Sequence, residues 1–212
     1  MKRVIRLLVL TTLLVTPNLA PASEQVGVYI APKLSYGYLL GYDFGGRSFD
    51  GDSVFGGALA VGYDFGKNKG LGVDLPIRFE LEFAMFSSAN NKWDAWELET
   101  GVSTLFINAY YDFNLGKSSA FTPYVGFGLG LAFVDVDLKL FSTKVGNASG
   151  TNFAWNIGAG VAYTFTDSVP LSIDLGYRFA GLGNGPTYSG HGGGSGDSLY
   201  MHQVMLGLRY TF

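Results

Sequence analysis

The chain has 212 residues, no cysteine and a formal net charge of −3 at pH 7. Its hydrophobic fraction is 48% and its aromatic fraction is 16%, but no apolar run beyond the N-terminal segment approaches the roughly 20 residues of a membrane-spanning helix. Without cysteine the stability of the fold must come from backbone pairing and side-chain packing. The acidic balance argues against nucleic acid as a partner, because nucleic-acid-binding proteins carry a basic surface.

The N-terminal segment has the three parts of a secretory signal peptide. A basic region, Met1 to Arg6, precedes an apolar run from Leu7 to Val15, and Ala20-Pro-Ala22 fits the cleavage rule. We expect residues 1–22 to be removed as a signal peptide, with residues 23–212 forming the mature domain; an uncleaved membrane anchor is the alternative. The mature chain then carries 11 basic and 17 acidic residues, a net charge of −6.

Eight segments of the mature chain alternate between apolar and mixed residues with a period of two, which is typical of β-strands with one face in an apolar medium. Export without a helical anchor leaves two classes, a secreted soluble β protein or a barrel in an outer membrane. A closed barrel pairs every backbone polar group internally, as lipid requires. The sequence therefore predicts an all-β fold, an eight-stranded antiparallel up-and-down transmembrane β-barrel. Its strands are predicted over 26–40, 54–65, 75–87, 95–113, 121–134, 152–165, 171–180 and 199–212.

The connections between these strands predict how the barrel sits in the membrane. Barrels of this type place short turns in the periplasm and long loops outside. The long connections are predicted to be loops over 41–53, 88–94, 135–151 and 181–198, and the last of them, with its glycine-rich stretch His191 to Gly196, is expected to be the most mobile.

Two positions disturb the alternation. Pro32 donates no ladder hydrogen bond, so we expect it near the periplasmic entry of its strand or at a bulge. The apolar phase before Gly101 is shifted, because Trp96 and Leu98 alternate with acidic residues. A bulge or an extension of the strand above the membrane is the predicted cause.

A Tyr-x-Phe sequence ends every second predicted strand, with spacings of 48, 52 and 47 residues between the tyrosines. Amphipathic rings at one level suggest a girdle at a membrane–water interface, here the periplasmic one. The members of this predicted girdle are Tyr63 and Phe65, Tyr111 and Phe113, Tyr163 and Phe165, and Tyr210 and Phe212.

Several segments resemble the small outer-membrane β-barrel proteins of Gram-negative bacteria, in the broad group of opacity-type surface antigens. They span about half of the mature chain. The resemblance implies a surface protein without enzymatic activity, with roles in envelope integrity, adhesion or immune interaction. The ending also looks like the assembly signal read by the barrel-insertion machinery, with Gly207, Tyr210 and Phe212 in place, although Met205 departs from it. The resembling segments are Ala109-Tyr-Tyr-Asp-Phe113, Thr122-Pro-Tyr-Val-Gly126, Gly158-Ala-Gly-Val-Ala-Tyr163, Asp174-Leu-Gly-Tyr-Arg178 and Gly207-Leu-Arg-Tyr-Thr-Phe212.

The inward-facing positions carry charges that are nearly balanced. A barrel of eight strands is just filled by its own side chains, and buried charges persist only when they are paired and hydrogen-bonded. We therefore predict a plug in which Arg78, Glu80 and Glu82 meet Asp174, Arg178 and their neighbours; a selective ion pore is the alternative. The predicted inward charges are Lys33, Arg78, Arg178 and Arg209 with Asp64, Glu80, Glu82, Asp112 and Asp174.

The candidates for catalysis are weak. His202 is predicted on the lipid-facing side near the outer end of the last strand, where lipid A-modifying barrel enzymes set a catalytic site, but its outward neighbours include no Ser nucleophile with an orienting acid. The stretch His191-Gly-Gly-Gly194 has no accompanying Gly-x-Ser-x-Gly elbow. No cysteine or His/acid cluster has metal-ligand spacing, and no cofactor motif is present.

Four acidic residues are predicted at the outer rim, in the pairs Asp50 with Asp52 and Asp135 with Asp137. They could share divalent cations with lipopolysaccharide; a solvated anionic loop is the alternative.

The predicted function is that of a non-enzymatic outer-membrane surface protein that acts through four extracellular loops, with its lumen plugged by paired charges. Its predicted partners are outer-membrane lipid and lipopolysaccharide, the barrel-assembly machinery during insertion, and host or environmental ligands at the loops. A narrow porin-like channel is the first alternative and a lipid A-modifying enzyme the second.

Overall fold

The computed structural model describes residues 26–44, 47–67, 75–93, 96–116, 119–141, 143–166, 169–184 and 198–212. The predicted signal peptide, residues 1–22, and the glycine-rich stretch from His191 to Gly196 lie outside the described residues. No helix in the described part of the chain is long and apolar enough to cross a membrane.

The described chain forms strands only. Eight are long and two of the short ones form a hairpin between β1 and β4. The strands are β1 (Val28–Leu39), β2 (Tyr42–Phe44), β3 (Arg47–Phe49), β4 (Asp52–Asp64), β5 (Ile77–Phe86), β6 (Ala89–Trp93), β7 (Trp96–Asp112), β8 (Phe121–Leu140), β9 (Thr143–Thr166), β10 (Val169–Asn184) and β11 (Ser198–Thr211).

The eight long strands close into a ring in which each strand pairs antiparallel with its sequence neighbours. The order is β5-β4-β1-β11-β10-β9-β8-β7, and the pairing of β5 with β7 completes the circle. β6 continues the line of β5 and pairs with the first residues of β7. The predicted eight-stranded antiparallel barrel is confirmed. We call the end at which β8 and β9 project the upper end, and the opposite end the lower end.

The inward and outward faces follow the predicted alternation. On β5 the apolar side chains of Phe79 and Leu81 are 48% and 52% exposed, whereas Arg78 and Glu80 between them are 3% and 4% exposed. Exposed apolar residues cover the outer face of every long strand. An outer surface of this kind is stable only in lipid, because in water it would form a very large exposed hydrophobic patch.

The prediction of a loop over 135–151 is wrong. β8 continues to Leu140 and β9 starts at Thr143, so the two strands form a long hairpin above the ring. Its outward positions carry polar residues such as Asp137 and Asn147, since this face meets water instead of lipid. The outward apolar alternation of the lower parts of these strands is therefore missing here, although the backbone stays extended.

Other predicted boundaries also move. The predicted loop over 88–94 contains β6, the loop over 41–53 contains β2, β3 and the first residues of β4, and β10 runs past its predicted end to Asn184. β7 keeps one register with β8 through Gly101, so the strand itself extends upward without interruption. On its other side the pairing shifts by one residue, between Met85 opposite Ser103 on β5 and Ala89 opposite Thr100 on β6, so an extension and an irregularity of the bulge type both occur here. Pro32 lies toward the lower end of β1, also without a register shift.

The interior has two layers. Its lower and middle part is lined by charged and hydrogen-bonding side chains, and its upper part by an apolar cluster. Phe86 and Leu138 pack against this cluster, which we call the upper apolar cluster. Its buried members are Leu39, Val54, Ala89, Val102, Phe106, Ala132, Val134, Val136, Ala154, Ala180, Leu182, Leu199 and Met201.

Candidate functional site in the barrel lumen and at the upper end

An ion pair crosses the middle of the lumen. Arg178 on β10 places Nη1 2.5 Å from Oε1 of Glu82 and Nη2 3.2 Å from Oε2 of the same carboxylate. β5 and β10 lie on opposite sides of the ring, so this bidentate pair reaches from wall to wall. Both side chains are buried, and the fork geometry of guanidinium with carboxylate fixes their orientation.

Lys33 joins a second carboxylate to this pair. Its Nζ lies 2.6 Å from Oε1 of Glu80 and 2.6 Å from Oε2 of Glu82. Glu80 also accepts hydrogen bonds from the hydroxyls of Tyr29 and Tyr110, each at 3.2 Å. Two cations and two carboxylates thus form one buried group in which every charge has a partner, as burial requires. We call these four charged residues, Lys33, Glu80, Glu82 and Arg178, the central ion network.

Arg78 makes a separate pair nearer the lower end. Its Nε and Nη2 lie 2.7 Å and 2.9 Å from the two oxygens of Asp112 on the adjacent strand β7. The guanidinium carbon also lies 4.9 Å and 5.0 Å from the ring centres of Tyr110 and Tyr124, which adds cation–π attraction. The predicted meeting of Arg78 with Asp174 does not occur, because Asp112 is within direct reach on the neighbouring strand.

Arg209 is held more loosely. It lies 3.5 Å from a carboxylate oxygen of Asp174 and 3.8 Å from one of Asp64. Neither its Nε nor its Nη1 has a hydrogen-bond partner, and Oδ1 of Asp174 has none. The structure thus places all the predicted inward charges on the inner face and brings each within ion-pair distance of another. The distances between the charged atoms differ from pair to pair.

The glycines of β8 leave room for this packing. The Asn156 amide donates to Asn108 Oδ1 at 2.9 Å across the inner face of β8. A Cβ added at Gly128, which lies between the two in the ladder, would overlap the Asn108 side chain. The glycine at this position therefore makes space for the side chains of the neighbouring strands.

The sequence predictions missed the apolar layer above the ions. Phe106, Val134 and Met201 are buried on the inner face. The available signal was an inversion of the pattern: on β8, Val134 and Val136 alternate with the outward Asp135 and Asp137. Such an inversion indicates that the outer face has left the membrane while the inner face still packs.

The lower end carries the four Tyr-x-Phe pairs on its outer face. The two rings of each pair pack edge to face, with centres 4.7 Å apart for Tyr63 and Phe65 and 5.0 Å for Tyr210 and Phe212. The corresponding distances are 5.1 Å for Tyr111 with Phe113 and 5.3 Å for Tyr163 with Phe165. Gly207 lies on the inner face, where the stem of Lys33 passes close to it.

His202 faces outward at the upper end, as predicted. Its Nδ1 lies 2.6 Å from the hydroxyl of Tyr177, and its ring lies 5.0 Å from that of Phe179. The described contacts of this histidine include no carboxylate that would orient it as a catalytic base. The arrangement matches an interfacial aromatic group better than a hydrolytic site.

Two of the four predicted rim acids, Asp52 and Asp137, have protein partners. Asp52 accepts the backbone N–H groups of Ser53 and Asn90, at 2.8 Å and 2.9 Å. Asp137 lies 2.6 Å from Nζ of Lys144. Among the described residues no three His, Asp or Glu side chains are grouped as a metal site would require, so these contacts favour a structural role for the two acids.

Comparisons with known proteins agree with this architecture. The family described as Outer membrane protein beta-barrel domain matches residues 7–212. Outer membrane protein PagN of Salmonella typhimurium is 29% identical over 231 aligned residues, which cover 91% of this chain and 93% of PagN.

Two solved structures share the fold. Neisserial surface protein A superposes with a TM-score of 0.63 at 19% identity, covering 88% of this chain and 97% of that protein. Ail, the attachment invasion locus protein of Yersinia pestis, solved with the heparin analogue sucrose octasulfate, gives a TM-score of 0.51 at 13% identity over 87% of this chain and 99% of Ail. The chain belongs to the outer membrane protein β-barrel domain family and is a β-barrel protein of the cell outer membrane.

Proposed function

We propose that this protein is a non-enzymatic surface protein whose closed barrel anchors a projecting sheet on the outside of the cell. The observation that carries the proposal is the filled lumen. The Arg178–Glu82 pair reaches from wall to wall, and the upper apolar cluster lies above it. With the lumen occupied at both levels, the parts left to act are the surfaces beyond the membrane.

The projecting sheet consists of β6, residues 96–101 of β7, residues 135–140 of β8 and residues 143–151 of β9, and we call it the upper extension. Its strands stay paired above the ring, and Lys139 bonded to Glu99 and Lys144 bonded to Asp137 tie neighbouring strands together. A paired sheet presents a defined surface, which suits recognition better than an unstructured loop.

The orientation follows from the connections. Two of the three connections at the lower end are short, with 8 residues between β7 and β8 and 2 between β9 and β10, and barrels of this class keep short turns in the periplasm. The upper extension is then extracellular and the Tyr-x-Phe pairs form the periplasmic girdle. The outward apolar surface contacts membrane lipid and lipopolysaccharide, and the ending with Gly207, Tyr210 and Phe212 is the part that the assembly machinery reads.

The charge of the upper end bears on the class of ligand. The solved complex of Ail holds a polysulfated glycan analogue. On this chain the described charged side chains of the upper end are mainly acidic, and Lys139 and Lys144 are each paired to an acid. We therefore do not extend polyanion binding to this protein. The acids in question are Asp50, Asp52, Glu97, Glu99, Asp135 and Asp137.

The experiment is epitope labelling of intact cells. A tag is inserted after Phe141, at the tip of the upper extension, and a matched tag after Gly116, in a connection at the lower end. We expect antibody to label intact cells only when the tag follows Phe141. The difference in gel mobility between boiled and unboiled samples checks that both variants are folded. Labelling only of the tag after Gly116 would show the opposite orientation in the membrane and contradict the proposed surface role of the upper extension.

A second measurement addresses the absence of enzymatic activity. Mass analysis of lipid A from cells with and without the protein is expected to show the same species. A new modified lipid A species that disappears in a His202→Ala variant would make the protein an enzyme and contradict the proposal.

A further inference from the structure

The strand β9 has an edge that no described strand covers. β8 pairs with β9 along its whole length, up to Thr143. β10 on the other side pairs with β9 only as far as Trp155. One further contact follows, in which the side-chain Nδ2 of Asn152 donates to the backbone carbonyl of Asn184 at 2.6 Å. Beyond Asn152, the β10-side edge of β9 therefore faces no partner within the described ranges.

The alternation of ladder bonds shows which backbone groups lie on this edge. Thr164 N–H donates to the Ala120 carbonyl, so the even-numbered residues of β9 bond to β8. The register stays in phase until a shift between Leu138 and Lys139 of β8. The N–H and C=O groups of Asn147, Ser149 and Thr151 therefore point away from β8. Alternate residues of a strand repeat every ~6.8 Å, a spacing that another extended polypeptide matches.

The opposite edge of the upper extension is treated differently. On β6 the backbone N–H of Asn90 donates to the Asp52 carboxylate at 2.9 Å, so a side chain blocks pairing there. Proteins protect exposed edges by such devices, by proline or by bulges. The register shift near Lys139 protects the tip of β9, but residues 146–151 below it contain no proline and stay in register.

The two faces beside the free edge define the chemistry of a partner strand. On the outer face, Asp135 lies opposite Ser149, and Asp137, which is already paired with Lys144, lies opposite Asn147. On the inner face, buried Val136 lies opposite Ala148. A strand added to β9 would place alternate residues on these two faces. Basic side chains suit the acidic outer face, and apolar side chains suit the inner face.

We propose that the β9 edge at residues 147–151 binds an extended segment of another polypeptide, in which basic and apolar residues alternate, by addition of a β-strand. The inference rests on the proposed function, because the edge must lie outside the membrane. It deepens that function by assigning recognition to backbone hydrogen bonds of three residues instead of to loop side chains.

The probe is a blocked nine-residue peptide of alternating lysine and valine, added to the full-length protein in nanodiscs of zwitterionic lipid. Amide hydrogen exchange by NMR is expected to be fast at Asn147, Ser149 and Thr151 without peptide and slowed with it. The matched peptide controls carry N-methyl groups on one alternate set of backbone nitrogens, or glutamate in place of lysine. One of the two N-methylated sets is expected to abolish binding, and the glutamate peptide to bind more weakly.

The matched protein variants are Ser149→Pro and Ser149→Ala. Ser149→Pro removes the backbone N–H group that points away from β8, and Ser149→Ala keeps it. Loss of the hydrogen bonds at one residue is expected to weaken peptide binding about tenfold in Ser149→Pro and to leave Ser149→Ala unchanged. If Ser149→Pro fails to fold, the N-methylated peptides carry the same comparison on the unaltered protein.

Three results would overturn the inference: protection of the three amides without peptide, no binding of the alternating peptide, or equal binding of both N-methylated sets. The tag after Phe141 keeps these results separate from the proposed function. Labelling of that tag on intact cells with no peptide binding removes only the edge site, whereas absence of labelling removes the surface role itself.

Discussion

The lower and upper parts of the lumen are filled in two different ways. In the middle and lower part, the central ion network and the Arg78–Asp112 pair fill the space with charges that are mutually bonded. In the upper part, Phe106, Met201 and Leu182 are buried among other apolar groups. Charges require a partner in a fixed geometry, whereas apolar groups require only that volume be filled. The ionic part therefore specifies which strands face each other, and we propose that the apolar part seals the barrel.

A second contrast lies within the ionic part. Glu82 bonds to Arg178 and Lys33 at 2.5 Å to 2.6 Å. Arg209 reaches Asp174 and Asp64 only at 3.5 Å and 3.8 Å and leaves buried nitrogen atoms without a partner. Loose geometry at a buried ion is a common place for ordered water. The two ends of the ionic part should thus respond differently to mutation.

The largest effect is expected from Glu82→Ala, which leaves Arg178 without its carboxylate and Lys33 with only Glu80. Breaking a buried ion pair by removing one partner costs about 3–5 kcal/mol of unfolding free energy. Urea unfolding in phospholipid vesicles measures it. The double variant Glu82→Leu with Arg178→Met removes both charges and should recover most of the loss; a double variant as unstable as Glu82→Ala would show that packing, not charge, dominates.

A somewhat smaller effect is expected in the upper apolar cluster from Met201→Ala. Truncating a buried methionine costs about 2–5 kcal/mol, depending on how far the cavity collapses. Leu206→Ala on the same strand is the matched control, because Leu206 is exposed on the outer face. Equal losses from the two variants in vesicle unfolding would mean that Met201 is not packed in a sealed upper lumen.

A weaker response is expected from Arg209→Met, because the lost ion pairs are long and lie near the lower end. We expect a loss of about 1–3 kcal/mol, the range for leaving polar groups without partners. The measurement is the same vesicle unfolding, compared directly with Glu82→Ala. A loss as large as that of Glu82→Ala would contradict the distinction between the tight and the loose parts.

The smallest effect concerns the upper extension and depends on pH. Hydrogen bonds from Lys139 and Ser88 lower the pKa of the Glu99 carboxyl. Because the pKa is lower in the folded state, the stabilisation is present above the ordinary carboxyl pKa of ~4.3 and is lost as pH falls through the lowered value. Local amide exchange in β7 and β8 should therefore rise on acidification, after correction for its intrinsic pH dependence. Glu99→Gln should remove this response; an unchanged response would assign it to another group.

The sequence predicted the membrane-level fold well because one rule holds there. Lipid demands apolar side chains such as Phe79 and Leu129 outward, so the neighbouring positions reveal the lumen and its charges. The same rule fails above the membrane. There Asp135 and Asp137 face water while Val136 packs inward. Because of this inverted pattern, the sequence predicted a loop where β8 continues and a shifted phase in β7.

The partners of individual charges were less predictable. Alternation places Arg78 and Asp174 on the inner face, but it does not give the height of each residue in the tilted ring. Pairing by strand register, which puts Asp112 within reach of Arg78, appears only in the folded barrel. The edge of β9 that no described strand covers likewise depends on strand lengths that composition does not reveal.

The most direct test of the account is the single-channel conductance of the purified, folded protein in a planar lipid bilayer. A lumen filled by the central ion network and sealed by the upper apolar cluster should give no steady openings over a range of voltage and salt. Stable openings of sizeable, reproducible conductance in the wild-type protein would contradict the closed lumen and make the barrel a channel.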